Sequence, residues 1–157
     1  MFIDFVTLLL TNMVAAYVLL ALYVAVGLGH PNQRRWVPGF AVVGFVAGVF
    51  GGQMTMTWPL PGPFSSAYGE MSVLLGILFL GTALAMALGL SLKSLGIYAF
   101  FAGLAAIVVG IRIIGLELTQ TPVIAGVGFI LSGLGGVFAL PTLTIFKQSA
   151  GYRVVAV

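Results

Sequence analysis

The chain has 157 residues, of which 61% are hydrophobic and 6% are charged, and its mean hydropathy is +1.23. In soluble domains about a quarter of the residues are charged, because a surface that faces water needs them. The six basic and three acidic residues here cannot cover a soluble globule. The basic residues are also spread along the chain, which excludes the basic patch of a nucleic-acid-binding domain. The composition therefore predicts an all-α integral membrane protein, with hydrocarbon as the solvent of its surface.

Residues that carry out catalysis or bind metals are scarce. The absence of cysteine excludes disulfides, thiolate nucleophiles and cysteine-ligated metals. The single histidine, His30, cannot supply bis-histidine haem ligation. No G-x-S-x-G, H-E-x-x-H or P-loop pattern occurs. We therefore expect a protein that is not an enzyme, has no catalytic residue and holds neither a cofactor nor a metal.

Five apolar segments are long enough to cross a membrane, since about 20 apolar residues in a helix span the ~30 Å hydrocarbon core. The second segment follows Trp36, placed as an interfacial anchor, and has Pro38 in its first turn, where a missing N–H costs nothing. The sequence predicts one domain over residues 1–157, a compact bundle of five transmembrane helices at 5–28, 37–56, 71–92, 95–116 and 123–146.

Small residues recur at every fourth position in four of these segments. In the second, Gly44, Gly48 and Gly52 share a helical face, where missing side chains let a neighbouring backbone approach closely. This pattern predicts packing inside the chain, and the alternative is a face for a second copy or another membrane subunit. The segments do not align convincingly as an internal repeat. The other three sets are Gly81, Ala85 and Gly89; Ala102, Ala106 and Gly110; and Gly128, Ser132 and Gly136.

A proline-rich connection, Trp58-Pro-Leu-Pro-Gly-Pro-Phe64, follows the second segment. Three prolines at alternate positions exclude a regular helix and favour an extended path. Long connections in compact proteins are often functional. Two interpretations stay open: a rigid interfacial turn anchored by Trp58 and Phe64, or part of a binding site.

Charge predicts the orientation of the spans. One side of the membrane has only Arg112, which lies within a span. Because basic loops stay in the cytoplasm, we expect a multi-pass protein of the cell (inner or plasma) membrane, with the N-terminus outside and the C-terminus in the cytoplasm. The basic residues on the other, cytoplasmic side are Arg34, Arg35, Lys93, Lys147 and Arg153.

This orientation gathers the acidic residues at the outer face. Arg112 either extends its side chain to the headgroups or pairs with Glu70 or Asp4, because a buried guanidinium needs a carboxylate. Glu70 could instead cap the third helix from its first turn. The candidate outer-face polar site consists of Asp4, Gln53, Thr57, Trp58, Glu70, Arg112 and Glu117.

The run from Met54 to Phe64, Met-Thr-Met-Thr-Trp-Pro-Leu-Pro-Gly-Pro-Phe, followed by Gly69-Glu70, resembles the signature of a family of uncharacterised prokaryotic membrane proteins, a domain of unknown function. The chain departs from that pattern at Phe64-Ser65, where the family has Tyr-Asn. The resemblance implies that Trp58 to Glu70 is the defining feature of the family. It brings no function with it.

Two functional interpretations remain. The first is an accessory or ligand-binding subunit with its site at the outer face, and the second is a small transporter or channel component with an entrance lined by the outer loop. Transporters usually carry ionisable residues or broken helices near the midplane, whereas the interior polar groups here are mainly Asn12, Tyr17, Thr82 and Ser132. We expect the first, with the lipid bilayer, other membrane subunits or a second copy as partners, and no nucleic acid.

Overall fold

The structure, a computed structural model, describes residues 5–28, 30–60, 64–118 and 121–154. In the last range it describes side chains as far as Ile145. Five stretches of these residues are long and apolar enough to cross a bilayer, with mean hydropathies from 1.5 to 2.3. The all-helical prediction is confirmed. The helices are α1 Phe5–Leu22, α2 Val37–Thr57, α3 Phe64–Leu88, α4 Lys93–Gly115 and α5 Pro122–Val154, with a π-helical turn Tyr23–Gly27 after α1 and a 3-10 turn Gln33–Trp36 before α2.

The boundaries of α3 and α5 differ from the prediction. Helix α3 begins at Phe64, well before the predicted start at 71, and α5 continues past 146 to Val154. The polar stretch after the prolines was predicted to be a loop. In the structure it is helical, and its Gly69 packs against Thr55 of α2. Because Glu70 thus lies well inside α3, the prediction that it caps the first turn is wrong.

The contacts divide the chain into two compact units, Met1–Leu92 and Lys93–Val157, and the single domain over residues 1–157 stays a prediction. The first unit contains α1, α2 and α3, and the second contains α4 and α5. In each unit the last two helices form an antiparallel hairpin. We call α2–α3 the first hairpin and α4–α5 the second hairpin.

An interhelical hydrogen bond and a group of aromatic rings help to attach helix α1 to the first hairpin. The Asn12 side-chain amide donates to the carbonyl oxygen of Val43 at 3.0 Å. At the other end, the ring of Tyr23 meets that of Phe40 edge-to-face at 5.4 Å, and Phe40 stacks on Phe79 at 5.1 Å. Polar hydrogen bonds and close packing are the interactions that hold helices together where lipid removes the hydrophobic drive.

The first hairpin is closed by glycines that bring its two backbones into contact. A Cβ placed on Gly44 would lie 2.6 Å from the backbone nitrogen of Leu80, and one on Gly51 would lie 3.0 Å from that of Val73. From the other helix, a Cβ on Gly76 would lie 2.5 Å from the nitrogen of Gly48. Since real Cβ contacts are essentially never shorter than 3.0 Å, a side chain at Gly44 or Gly76 would force the two backbones apart.

The second hairpin is closed in the same way. A Cβ on Gly103 would lie 2.5 Å from the carbonyl oxygen of Gly133, and one on Gly110 would lie 2.7 Å from that of Gly126. A Cβ on Gly133 would in turn lie 3.0 Å from the backbone nitrogen of Ile107. We call each line of contact-forming glycines a seam.

The seams have a spacing of seven residues, and the predicted spacing of four is not the one that forms contacts. Gly44 faces α3, whereas a Cβ on Gly48 or Gly52 would have no atom within 4 Å. Seven residues are close to two turns of a helix with 3.6 residues per turn, so Gly44 and Gly51 stay on one face. Steps of four rotate by about 40° each and carry Gly52 away from it. Gly48 takes part through its backbone, against Gly76.

Candidate functional site

The end of α2 presents three of the predicted outer-face residues. Gln53 and Thr57 are exposed in the last turns of the helix, where the Thr57 hydroxyl donates to the Gln53 carbonyl at 2.8 Å. Trp58 ends the helix in a left-handed conformation, with φ 46° and ψ 54°, and its backbone N–H donates to the Met54 carbonyl. More than half of the Trp58 surface is exposed. A bulky residue in this region of backbone space is an outlier.

Ser65 holds the proline-rich connection against the start of α3. Its side chain is fully buried, and its Oγ accepts from the backbone N–H of Leu60 at 3.0 Å and donates to the carbonyl of the same residue at 3.2 Å. Sequence reasoning missed this role, although serine near a helix start is a common signal for such side-chain-to-backbone bonds. These bonds fix Leu60 relative to the first turn of α3, whereas residues 61–63 lie outside the described part of the chain, so both interpretations of the connection stay open.

Glu70 is exposed on α3. Its neighbour Gly69 lies against Thr55, so Glu70 stands at the level of the last turns of α2. The structure thus brings Gln53, Thr57, Trp58 and Glu70 to one end of the first unit. Asp4 lies outside the described residues.

The end of α4 carries the two remaining residues of the predicted set. Arg112 is exposed in the last turn, and Glu117 is exposed just beyond the helix with φ 49°. The backbone N–H of Leu118 donates to the Ile113 carbonyl at 3.2 Å, and that of Glu117 donates to the Ile114 carbonyl. This pair of bonds is a Schellman motif, in which the left-handed residue is usually glycine. Because Glu70 and Arg112 belong to different units, their pairing stays a prediction.

The end of α3 shows the same motif with the usual residue. Gly89 has φ 68°, its N–H donates to Met86, and the N–H of Leu90 donates to the Ala85 carbonyl at 2.8 Å. The left-handed conformation costs roughly 1–2 kcal/mol for a residue with a side chain. Among the described non-glycine residues, Trp58 and Glu117 alone have a positive φ, and both belong to the predicted outer-face site.

At the opposite end of the first unit, polar side chains donate hydrogen bonds to the carbonyl groups that follow α1. The Gln33 amide nitrogen donates to the carbonyls of Gly27 and His30 at 2.9 and 2.6 Å, and Arg35 reaches the Val26 carbonyl at 3.4 Å. The Arg35 guanidinium also lies 5.5 Å from the centre of the Trp36 ring. Capping of a helix C-terminus by such side chains is a structural role. Sequence reasoning assigned Arg35 to topology and Trp36 to the interface, and missed these contacts.

Polar groups within the helices are satisfied by backbone carbonyls of the same or a neighbouring helix. Thr55 donates to Gly51, Thr82 to Leu78 and Ser132 to Gly128, at 2.9, 2.7 and 2.6 Å. In the part of the chain that the structure describes, no three His, Asp or Glu side chains come together in a group that could hold a metal ion.

Comparison with known proteins identifies a family. The family described as "Protein of unknown function (DUF981)" matches residues 1–157, and the chain belongs to it. The resemblance to a family of unknown function is confirmed over the whole chain, while the assignment of Trp58 to Glu70 as its defining feature stays a prediction. No curated protein and no solved structure matches the chain.

Proposed function

We propose that the protein is a non-enzymatic, multi-pass membrane subunit that binds a ligand or a larger membrane complex through its outer face. The observation that carries this proposal is the left-handed backbone of Trp58 and Glu117. Both are exposed residues at the tip of a hairpin, where glycine would be more stable. Backbone strain of this kind collects at functional sites, because the side chain is needed there.

The surface of the helices supports a membrane location. Large apolar side chains are exposed on every helix, among them Val14, Val42, Leu84, Val108 and Leu131. Patches of this extent are unfavourable in water and favourable in hydrocarbon. With the basic loops in the cytoplasm, both hairpin tips lie outside the cell.

The second candidate, a transporter or channel component, has less support. The interior polar groups of each hairpin already donate to backbone carbonyls, and the seams bring backbones together at contact distance. A permeation path through a hairpin would need free polar groups or broken helices.

Site-specific photo-cross-linking in cells tests the proposal. A photoreactive side chain is placed at Trp58 or Glu117, with Val42 and Val108 as matched controls because they are exposed on apolar helix faces. We expect each of the two tip positions to capture a protein or a small molecule, and the controls to capture lipid. Capture of lipid alone from all four positions would contradict an outer-face site.

The predicted ion pair is a separate question within the same site. If Glu70 and Arg112 form a buried pair, Glu70→Gln and Arg112→Gln should each destabilise the protein, and the double variant should recover part of the loss. A thermal double-mutant cycle measures this coupling. Small losses that simply add would leave both as independent exposed charges.

A further inference from the structure

We propose that the two hairpins are tandem copies of one ancestral helical hairpin, and that α1 is an addition to the first copy. The inference rests on packing within each hairpin and is independent of the proposed function. Three sets of observations agree on a single alignment of the two copies: the seam glycines, the atoms they touch and the way each first helix ends.

The seam glycines align with constant offsets. In the first helix of each hairpin, Gly44 and Gly51 correspond to Gly103 and Gly110, an offset of 59 residues. In the second helix the offset is 57 residues, because 17 residues separate Gly51 from Gly69 and 15 separate Gly110 from Gly126. This offset relates Gly69 and Gly76 to Gly126 and Gly133.

The contacting atoms correspond as well. A Cβ on Gly44 would meet the carbonyl oxygen of Gly76 and the nitrogen four residues later, that of Leu80. A Cβ on Gly103 would meet the carbonyl oxygen of Gly133 and, again four residues later, the nitrogen of Val137.

The next seam positions repeat this pattern. Gly51 faces the carbonyl oxygen of Gly69 and the nitrogen of Val73, and Gly110 faces those of Gly126 and Ile130. In the opposite direction, Gly69 touches Thr55 as Gly126 touches Ile114, which are equivalent positions under the same offset. The two hairpins therefore share one register along their length.

The ends of the first helices agree with this register without depending on glycine. Met54 and Ile113, which are equivalent, are 0% and 1% exposed. Trp58 and Glu117 are also equivalent, and they have the same left-handed backbone with φ 46° and 49°. A seven-residue glycine pattern alone does not require either match.

The alignment also relates the two exposed polar residues before these ends, Gln53 and Arg112. Four members of the candidate outer-face site thus occupy only two positions of the hairpin. Trp58 is equivalent to Glu117, and Gln53 is equivalent to Arg112, so one copy has an aromatic side chain and an amide where the other has an acid and a base. The copies have kept their packing and diverged at their tips.

Grafts within the full-length chain test the proposal. Residues 103–117 are replaced by the 15-residue segment that stands at 44–58, which places Gly44 and Gly51 at the seam positions. A matched control graft uses the segment at 126–140, which also begins with glycine and has glycine at its eighth position but comes from the other helix of the hairpin. A second control uses the segment at 43–57, which shifts the register by one residue.

We expect the equivalent graft to melt within about 5 °C of the wild type in detergent, and both controls to lose more than about 10 °C. The reciprocal graft, with the segment at 103–117 placed at 44–58, should likewise be more stable than its own shifted control. If the control from 126–140 is as stable as the equivalent graft, any glycine-bearing helix serves, and the hairpins are not copies. Equal loss in the equivalent and shifted grafts, in both directions, would also overturn the proposal.

Discussion

The two hairpins pack differently at the level where Tyr23, just after α1, meets the first one. In the first, Phe40 and Phe79 stack at 5.1 Å, and Tyr23 packs edge-to-face on Phe40. The equivalent residues of the second hairpin are Ala99 and Gly136, and a Cβ on Gly136 would lie 2.6 Å from the Ala99 carbonyl oxygen. A stacked ring pair requires the two backbones to stand farther apart than such a contact allows.

Because of this difference, the last part of the seam packs backbone on backbone in the second hairpin and holds an aromatic pair in the first. In the second hairpin, where glycine and alanine occupy these positions, the backbones touch at Gly136 and also at Gly133. Where a phenylalanine pair replaces them, as in the first hairpin, Tyr23 packs edge-to-face on Phe40, and Trp36 packs edge-to-face on Tyr23. The ring pair therefore gives the first hairpin an aromatic contact that the second lacks, while the rest of its register stays the same.

The largest effect is expected from filling a seam. Gly76→Leu and Gly133→Leu would each place a side chain at 2.5 Å from backbone atoms of the opposite helix. Because neither backbone can yield locally, we expect both variants to lose their cooperative thermal transition in detergent, measured by circular dichroism. The controls are Gly48→Leu and Gly128→Leu, whose Cβ atoms have no neighbour within 4 Å. If the control variants are destabilised as much, the helices contact each other through the faces on which small residues are spaced four apart.

Removal of the ring pair should come next. Phe40 is 1% exposed, and Phe40→Ala should destabilise the first hairpin by about 3 kcal/mol, as for other buried phenylalanines. The equivalent change in the second hairpin, Ala99→Gly, removes only a methyl group and costs about 1 kcal/mol through helix propensity. Thermal unfolding of both variants measures the contrast. Similar losses would mean that the ring pair does not distinguish the two hairpins.

The hydrogen bond between α1 and α2 should have a smaller effect. Asn12→Leu removes the donor to the Val43 carbonyl, and interhelical hydrogen bonds in membranes are worth about 0.6 kcal/mol on average. We expect a slight fall in melting temperature together with faster proteolysis of α1. Thr11→Leu is a suitable control, since Thr11 donates to Thr7 within the same helix. An Asn12 variant that matches this control would show that the bond to Val43 does not help to hold α1.

The smallest change in stability is expected at the hairpin tips. Trp58→Gly and Glu117→Gly relieve the left-handed backbone, so neither should lower the melting temperature, and each could raise the free energy of unfolding by up to about 1 kcal/mol. A photoreactive group at Thr57, next to one tip, should at the same time capture less of the partner. If either variant is markedly less stable, its side chain is part of the packing, and the argument for a site there is removed.

Much of the fold could be predicted from the sequence, because composition alone dictates apolar helices when charged residues are so few. The register of the seams could not be predicted in the same way. With 22 glycines in the chain, spacings of four and seven coexist, and Gly44 belongs to both. Only backbone contacts distinguish them, and the alignment of the two hairpins that we propose depends on the spacing of seven.

The candidate site was predictable in its members but not in its geometry. Gln53, Trp58 and Glu117 stand out in the sequence as polar or aromatic residues beside apolar helices. Their left-handed or exposed placement depends on where each helix ends, which hydropathy does not resolve to a single residue. The start of α3 was misplaced for the same reason, since Ser65 and Gly69 are typical of loops until their contacts with Leu60 and Thr55 are seen.

The most direct test of the account is the side of the membrane on which the two tips lie. The chain has no cysteine, so single cysteines can be introduced at the equivalent exposed positions Thr57 and Leu116, and at Asn32 on the opposite end of α2. Two copies of one hairpin, with basic loops in the cytoplasm, predict that Thr57→Cys and Leu116→Cys react with a membrane-impermeant maleimide on intact cells. Asn32→Cys should react only after permeabilisation. Labelling of the two tips from opposite sides of the membrane would contradict the account.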